Sequence, residues 1–213
     1  MGEVVPDALS LGIKPVYASS THDEESCMPE QDHRDQQNST MESAPPARRS
    51  AWTTKQKLVR LVWATFGRLL WQIPFLRTPV LRMFGGSVGR SCRLSRTVDI
   101  IIPWNISIGD GVQVGDRVIL YGLGPITIGA GTVIDVRAHL CAGSHDMRDT
   151  RFPLTRPPIS IGSDCFIGVD AYIAPDVELG DRCRVQHRAS VYRSFPGGTM
   201  LEGNPARPVG ASS

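Results

Sequence analysis

The chain has 213 residues, 41% of them hydrophobic, and a formal net charge of only +2. This length suits one sizeable domain with appendages, and the weak charge gives no indication of a nucleic-acid-binding protein. The five cysteines are an odd number and include no CxxC pair, which argues against a disulfide framework and a cysteine zinc site. The N-terminus lacks a basic segment followed by an apolar run, so we predict no secretory signal. Together these features predict a cytoplasmic location.

Residues 1–50 are rich in Ser, Asp, Glu, Gln and Pro and show no sustained apolar period. They carry nine acidic and four basic side chains. A segment of this composition buries too little apolar surface to fold, so we predict a disordered tail. Both a regulatory or docking role and a dispensable extension agree with this composition.

Residues 51–84 are predicted to form an amphipathic helical cap, with the helix over residues 52–72. One side of this helix holds Lys57, Arg60, Ala64 and Arg68, and a wide apolar arc holds Leu58, Leu61, Val62, Trp63 and Leu69. Pro74 and Pro79 then end it. No run of about 18 apolar residues is available to span a bilayer. We therefore expect the helix to cover the open end of the scaffold that follows; the alternative is an interfacial helix on the inner face of a membrane.

Aliphatic residues recur every six positions over residues 85–195, in five groups of three. The groups are Val88, Leu94, Ile100; Ile108, Val114, Leu120; Ile128, Ile134, Leu140; Ile161, Ile167, Ile173; and Leu179, Val185, Val191. A helix does not use this period, because the apolar residues would move round its axis. A period of six with glycines at the turns predicts an all-β fold, a single-stranded, three-sided parallel β-helix with one hexad on each side. Cys165 and Cys183 should stack in a buried corner column.

Insertions of two, two and fifteen residues interrupt the repeat, and all three fall at the same corner of the predicted prism. His145 is the last residue of its hexad and lies at this corner. The fifteen-residue excursion loop, residues 146–160, follows it directly. A reactive side chain beside a protruding loop on a regular scaffold is a common arrangement in enzymes.

The hexads, GSHD at residues 143–146, the Pro-rich excursion and GNPARP at residues 203–208 resemble the hexapeptide-repeat acyltransferases. PWNISIGD at 103–110 and YGLGPITIG at 121–129 are similar to the colanic-acid-type (WcaF-like) branch of sugar O-acetyltransferases. The resemblance covers about residues 52–208 and includes part of the C-terminal extension, residues 196–213.

This resemblance implies a left-handed β-helix and a homotrimer with active sites between neighbouring chains. It also implies acetyl-CoA as the donor and a saccharide hydroxyl as the acceptor. His145 matches the family's catalytic histidine, a general base for the attacking hydroxyl. Asp146 is adjacent and is a candidate for orienting the imidazole.

The candidate contacts to the donor, by their position in the family pattern, are Val169, His187, Arg193 and Arg207. The segment Gln186-His187-Arg188 departs from that pattern, because relatives usually carry a small residue where the pantetheine arm lies. His187 would either narrow the donor channel or, with its basic neighbour, meet the phosphates of CoA. Both outcomes stay open at the level of sequence.

Two other classes of function compete with acetyl transfer. A trimeric scaffold or binding module with impaired CoA binding would explain the departure at residues 186–188. A γ-carbonic-anhydrase-like zinc enzyme also places histidines between β-helix subunits. The six-residue spacing of His139 and His145 does not match that ligand pattern, so we predict no metal.

Overall fold

The computed structural model describes residues 52–210. The tail predicted over residues 1–50 therefore lies outside the described residues. A helical segment comes first and is followed by a parallel β-helix.

The helical segment begins with α1 (Thr54–Val62), continues through a π-helical stretch (Trp63–Gly67) into α2 (Arg68–Trp71), and is followed by a 3-10 turn (Pro74–Leu76) and α3 (Arg77–Met83). Residues 54–71 are called the cap helix below. Thr53 caps its start: the Thr53 hydroxyl accepts the Gln56 N–H, and the Gln56 side chain accepts the Thr53 N–H. This reciprocal capping satisfies two backbone donors at the first turn.

Two tryptophans hold the cap helix against the first coil of the β-helix. The Trp63 Nε1–H donates to the Ile100 carbonyl at 2.8 Å, and the Trp71 Nε1–H donates to the Ser95 carbonyl at 3.2 Å. Both rings are buried and meet edge to face at 6.0 Å. Each ring therefore buries its apolar body while its polar atom keeps a partner.

The β-helix has three parallel sheets, whose strands are numbered in chain order. Sheet 1 contains β1 (Ser87–Val88), β4 (Ile106–Ile108), β7 (Ile126–Ile128), β12 (Ile159–Ile161) and β15 (Glu178–Leu179). Sheet 2 contains β2 (Arg93–Leu94), β5 (Gln113–Val114), β8 (Val133–Ile134), β13 (Phe166–Ile167), β16 (Arg184–Val185) and β18 (Met200–Glu202), with β19 (Arg207–Val209) antiparallel at its edge. Sheet 3 contains β3 (Asp99–Ile100), β6 (Ile119–Tyr121), β9 (His139–Cys141), β14 (Tyr172–Ile173) and β17 (Ser190–Val191). A separate hairpin joins β10 (Ser144–His145) to β11 (Leu154–Thr155).

The register confirms the six-residue period, because each hexad aliphatic pairs with the equivalent aliphatic of the next coil. Val88 pairs with Ile108 in sheet 1, and Leu94 pairs with Val114 in sheet 2. All fifteen residues of the repeat are buried. The predicted all-β parallel β-helix with an N-terminal helix is therefore confirmed; its left-handed sense stays a prediction from the resemblance.

Small residues fill the corner columns, as the repeat predicts. Cys165 and Cys183 are both buried and free, and the Cys183 carbonyl accepts the Phe166 N–H. Thr132 lies in the same column, where its hydroxyl donates to the Gly162 carbonyl and accepts the Cys165 N–H. Thr132 is a buried polar residue, and these two bonds satisfy its hydroxyl.

Gly67 lies against the Trp63 ring in the π-helical stretch. A Cβ on Gly67 would lie 2.5 Å from a carbon of that ring. No real Cβ contact is this short, so any larger residue at position 67 would displace the ring from its place on the first coil.

We expect Gly67→Ala to destabilise the fold by about 1–3 kcal/mol, because overpacking outweighs the better helix propensity of alanine. The measurement is the thermal midpoint by circular dichroism. Gly210→Ala is the matched control, since no heavy atom lies within 4 Å of a Cβ there. A Gly67→Ala protein as stable as the control would contradict this account of the cap.

Candidate active site

The three insertions of the repeat meet at the corner between sheets 3 and 1, called the excursion corner below. A 3-10 turn (Pro103–Asn105) occupies the first insertion. The Asn105 side-chain amide donates to the Gly122 and Leu123 carbonyls of the second insertion, each at 2.9 Å. Successive insertions are therefore stacked on one another, as the strands are.

The third insertion packs tightly against the second at Gly124. A Cβ on Gly124 would lie 2.5 Å from the Arg156 carbonyl oxygen and would also clash with the Pro157 carbonyl. The Arg156 guanidinium lies 4.1 Å from the centroid of the Trp52 ring, and Arg60 of the cap helix lies over the same ring. The excursion loop and the cap helix thus share Trp52 as a contact.

His145 lies in the hairpin that starts the excursion, opposite Leu154 of β11. Its side chain is exposed, and its Nδ1 lies 2.7 Å from the Phe152 carbonyl oxygen. A carbonyl oxygen can only accept, so this geometry requires the proton on Nδ1. The neutral imidazole then carries its lone pair on Nε2, and Nε2 is the nitrogen able to take a proton.

The turn that presents the Phe152 carbonyl is held by Asp149. Phe152 has a φ of 47°, in the left-handed region that residues with side chains rarely adopt. Its N–H donates to the Asp149 carbonyl, and the Asp149 carboxylate accepts the N–H of Arg151 and pairs with its guanidinium. These bonds to Arg151 lower the pKa of Asp149 to about 2, so the pair stays charged at neutral pH.

Asp146 makes a different contact from the one considered in the sequence. Its carboxylate accepts the Arg148 N–H at 2.9 Å, and its own N–H donates to the Pro153 carbonyl at 3.0 Å. Both bonds shape the base of the excursion loop. The His145 ring is hydrogen-bonded to the Phe152 carbonyl. This carbonyl therefore orients the ring at Nδ1, which is the role predicted for Asp146.

The structure brings together two of the four candidate donor contacts. The Val169 N–H donates to His187 Nδ1 at 2.9 Å, and the His187 ring meets Phe166 edge to face. Because Nδ1 accepts here, the neutral His187 ring carries its proton on Nε2, the opposite tautomer from His145. Val169 and His187 lie at the corner between sheets 2 and 3, which is a different edge of the prism from the excursion corner.

The two candidate arginines make other contacts. The Arg193 guanidinium lies 5.1 Å from the centroid of the Phe195 ring, after β17. Arg207 is exposed on β19, opposite Glu202 of β18. In a single chain, His145 and the Val169–His187 pair therefore lie at different corners of the prism.

An aromatic row that sequence reasoning missed lies on the outer side of sheet 3. Tyr121, His139, Tyr172 and Tyr192 lie on successive coils, with ring centroids 5.5 to 6.3 Å apart. Burial lowers the pKa of His139, and burial together with the Cys141 thiol raises the pKa of Tyr172 to about 12. The sequence does contain a signal for this row, because each of these four residues directly precedes or follows the hexad aliphatic on the third side of its coil.

No group of three or more His, Cys, Asp or Glu side chains suited to a metal ion occurs in the described part of the chain. No helix there is long and apolar enough to cross a membrane.

Comparisons with known proteins identify the class of protein to which this parallel β-helix belongs. A family described as bacterial transferase hexapeptide (six repeats) matches residues 158–193. The putative colanic acid biosynthesis acetyltransferase WcaF of Escherichia coli (strain K12) is 40% identical over 152 residues, which is 70% of this chain and 84% of that protein. The chain belongs to the hexapeptide-repeat acetyltransferases.

Two further relatives extend the comparison. The galactoside O-acetyltransferase of Escherichia coli (strain K12) is 24% identical over 157 residues, covering 73% of this chain and 67% of that protein. A hexapeptide-repeat-containing acetyltransferase from Vibrio cholerae O1 biovar eltor, solved in complex with acetyl-coenzyme A, superposes with a TM-score of 0.62. That structure is 23% identical and covers 76% of this chain and 91% of its own, so it bears on the fold.

We expect the two histidines to show opposite tautomers, with the proton of neutral His145 on Nδ1 and that of neutral His187 on Nε2, because one bonds a carbonyl and the other an N–H. Heteronuclear NMR of protein labelled with 15N-histidine distinguishes the two forms. Asp149→Ala should reduce the Nδ1–H form of His145 and leave His187 unchanged. An Nε2–H tautomer at His145 in the unaltered protein would refute the assignment.

Proposed function

We propose that this protein transfers the acetyl group of acetyl-CoA to a hydroxyl of a saccharide, in the synthesis of a polysaccharide or glycan in the cytoplasm. The observation that carries the proposal is the bond between His145 Nδ1 and the Phe152 carbonyl at the excursion corner. It leaves Nε2 as a base in a chain related to sugar-modifying acetyltransferases.

The reaction needs a base, because a saccharide hydroxyl gives up its proton reluctantly. Nε2 of His145 takes this proton as the hydroxyl oxygen forms a bond to the thioester carbonyl carbon. Backbone N–H donors stabilise the tetrahedral oxyanion. The carbon–sulfur bond then breaks, and the imidazolium returns the proton to the departing CoA thiolate. The acceptor attacks directly, so no serine nucleophile is required.

The Phe152 carbonyl has two effects on this chemistry. It fixes the tautomer of His145, and it stabilises the imidazolium by accepting a hydrogen bond from the charged ring. The Asp149–Arg151 pair supports the turn that presents this carbonyl. Asp149 is therefore a positioning residue, and Asp146 contributes through the shape of the loop.

We also propose a homotrimer whose active sites lie between chains. His145 lies at the excursion corner, while Val169 and His187 lie at the corner between sheets 2 and 3. Two edges of one prism cannot meet, but they can meet across a neighbouring copy. Closed symmetric assemblies are the usual way to form such a repeated interface. The donor contacts of Arg193 and Arg207 remain part of this proposal.

One alternative function receives less support. A scaffold with impaired CoA binding would follow if His187, by occupying the Val169 N–H, excluded the donor; titration with acetyl-CoA by calorimetry tests this directly. A peripheral contact between helix 52–72 and the inner face of a membrane is compatible with acetyl transfer and extends the proposal.

We expect His145→Ala to lower kcat about 100-fold or more, since general base catalysis contributes about 10²–10⁴. The assay follows CoA release with acetyl-CoA and a panel of saccharides, and mass spectrometry identifies the product. Ser144→Ala is the control from the same hairpin and should keep its activity. Undiminished acetylation by the His145→Ala protein, with its fold intact, would remove His145 as the base.

We expect mixed assemblies of two inactive variants to recover activity, if each site takes residues from two chains. His145→Ala lacks the base, and Val169→Trp blocks the donor edge. After the two proteins are unfolded together and reassembled, some sites combine an intact His145 with an intact Val169. Activity no higher than that of the separately refolded variants would show that each site belongs to one chain.

A further inference from the structure

The side of the cap helix that faces away from the β-helix is an exposed apolar stripe. Its large side chains are 60–77% exposed. They recur at helical spacing and continue into the following 3-10 turn: Leu58, Leu61, Phe66, Leu69 and Phe75. We call these five residues the cap surface. A contiguous stripe of this kind on a soluble scaffold marks an interaction site more often than single exposed residues do.

The cap surface cannot be buried by rotating the helix inward. Trp63 and Trp71 fix the opposite side of the cap helix to the first coil through their hydrogen bonds to the Ile100 and Ser95 carbonyls. Arg77 joins the end of the cap helix to β2, because its guanidinium donates to the Trp71 and Leu94 carbonyls. The apolar stripe is therefore held outward by contacts made on the other side of the same helix.

Basic side chains lie beside the stripe. Residues 52–98 contain nine Lys and Arg side chains and no Asp or Glu, although the whole chain has a net charge of only +2. Lys57, Arg60 and Arg68 line a cavity of about 430 Å³ beside the helix, with Leu61 in its wall. Arg68 is also paired with Asp99. The cavity thus offers basic groups next to an apolar surface, which is the arrangement that an anionic lipid headgroup and its acyl chains require.

We propose that the cap surface docks on an anionic lipid bilayer, with its apolar side chains in the headgroup–acyl boundary and its basic groups on the phosphates. This deepens the membrane contact proposed above and does not depend on acetyl transfer. The occupant is a bilayer and not a second copy of the chain, because a symmetric self-contact would bring the two sets of positive charges together. The helix lies on the bilayer without crossing it.

Docking by this surface also brings the excursion loop close to the bilayer. Trp52 lies between Arg60 of the cap helix and Arg156 of the excursion loop. The loop that follows His145 thus contacts the docking element at the Trp52 ring.

The test is flotation of the full chain with vesicles of phosphatidylcholine alone and with vesicles containing 30% phosphatidylglycerol. We expect partitioning at least 10-fold stronger to the anionic vesicles, lost in high salt. Replacing Leu61, Phe66 and Leu69 with Ser should weaken this partitioning at least 10-fold. Lys55→Gln with Lys57→Gln should weaken it about 10-fold or more, since each base near an anionic surface contributes about 1 kcal/mol.

Matched controls keep the result specific. Tyr192→Ser removes an exposed apolar side chain, and Arg182→Gln with Arg184→Gln removes two exposed bases, all on the fifth coil. These variants should float like the unaltered protein, and acetylation of a soluble acceptor should continue in the triple Ser variant. The proposal fails if the full chain does not float, if neutral and anionic vesicles bind it equally, or if the triple Ser variant floats normally. Dissociation of the oligomer by the triple Ser variant would assign the surface to contacts between copies.

Discussion

The structure depends on one constraint: each inward-facing aliphatic residue must lie directly beneath its equivalent on the next coil. Parallel pairing sets this register, since Ile108 is bonded through its strand to Val88 on one side and to Ile128 on the other. A slip of one residue would turn every aliphatic outward. Because this register fixes the strands of every coil, extra residues can be inserted only between strands, at a corner.

The candidate site follows from how the corner absorbs those residues. Two short insertions build a platform, and Asn105 ties the first to the second. The long insertion then packs on Gly124 and forms a hairpin whose first strand holds His145. The imidazole is thus placed by a rigid coil on one side and by the Phe152 carbonyl on the other. A catalytic group gains most from such support, because its orientation is set before substrate arrives.

The cap helix shows how one amphipathic segment can serve two surfaces. Trp63 and Trp71 bury their rings against the first coil, and each indole N–H keeps a hydrogen-bond partner there. The same helix leaves Leu61 and Phe66 in solvent, and it lies in a stretch of nine basic and no acidic side chains. Burial of the tryptophan side explains why the helix packs where it does. It does not explain why the opposite side is apolar, and we attribute that to an interaction with a partner.

The sequence by itself determined the β-helix, the register of its three sides, the corner that receives the insertions and the position of His145 beside them. It could do so because a repeat of six is local, and each hexad carries its own signal in the identity of one buried residue. Only the tertiary structure decided which carbonyl holds the His145 ring, that His187 takes the Val169 N–H, and that Trp52 joins the cap helix to the excursion loop. These contacts join residues 7 to more than 100 positions apart in loops and at corners, where no period constrains the backbone, so their partners are set by packing in three dimensions.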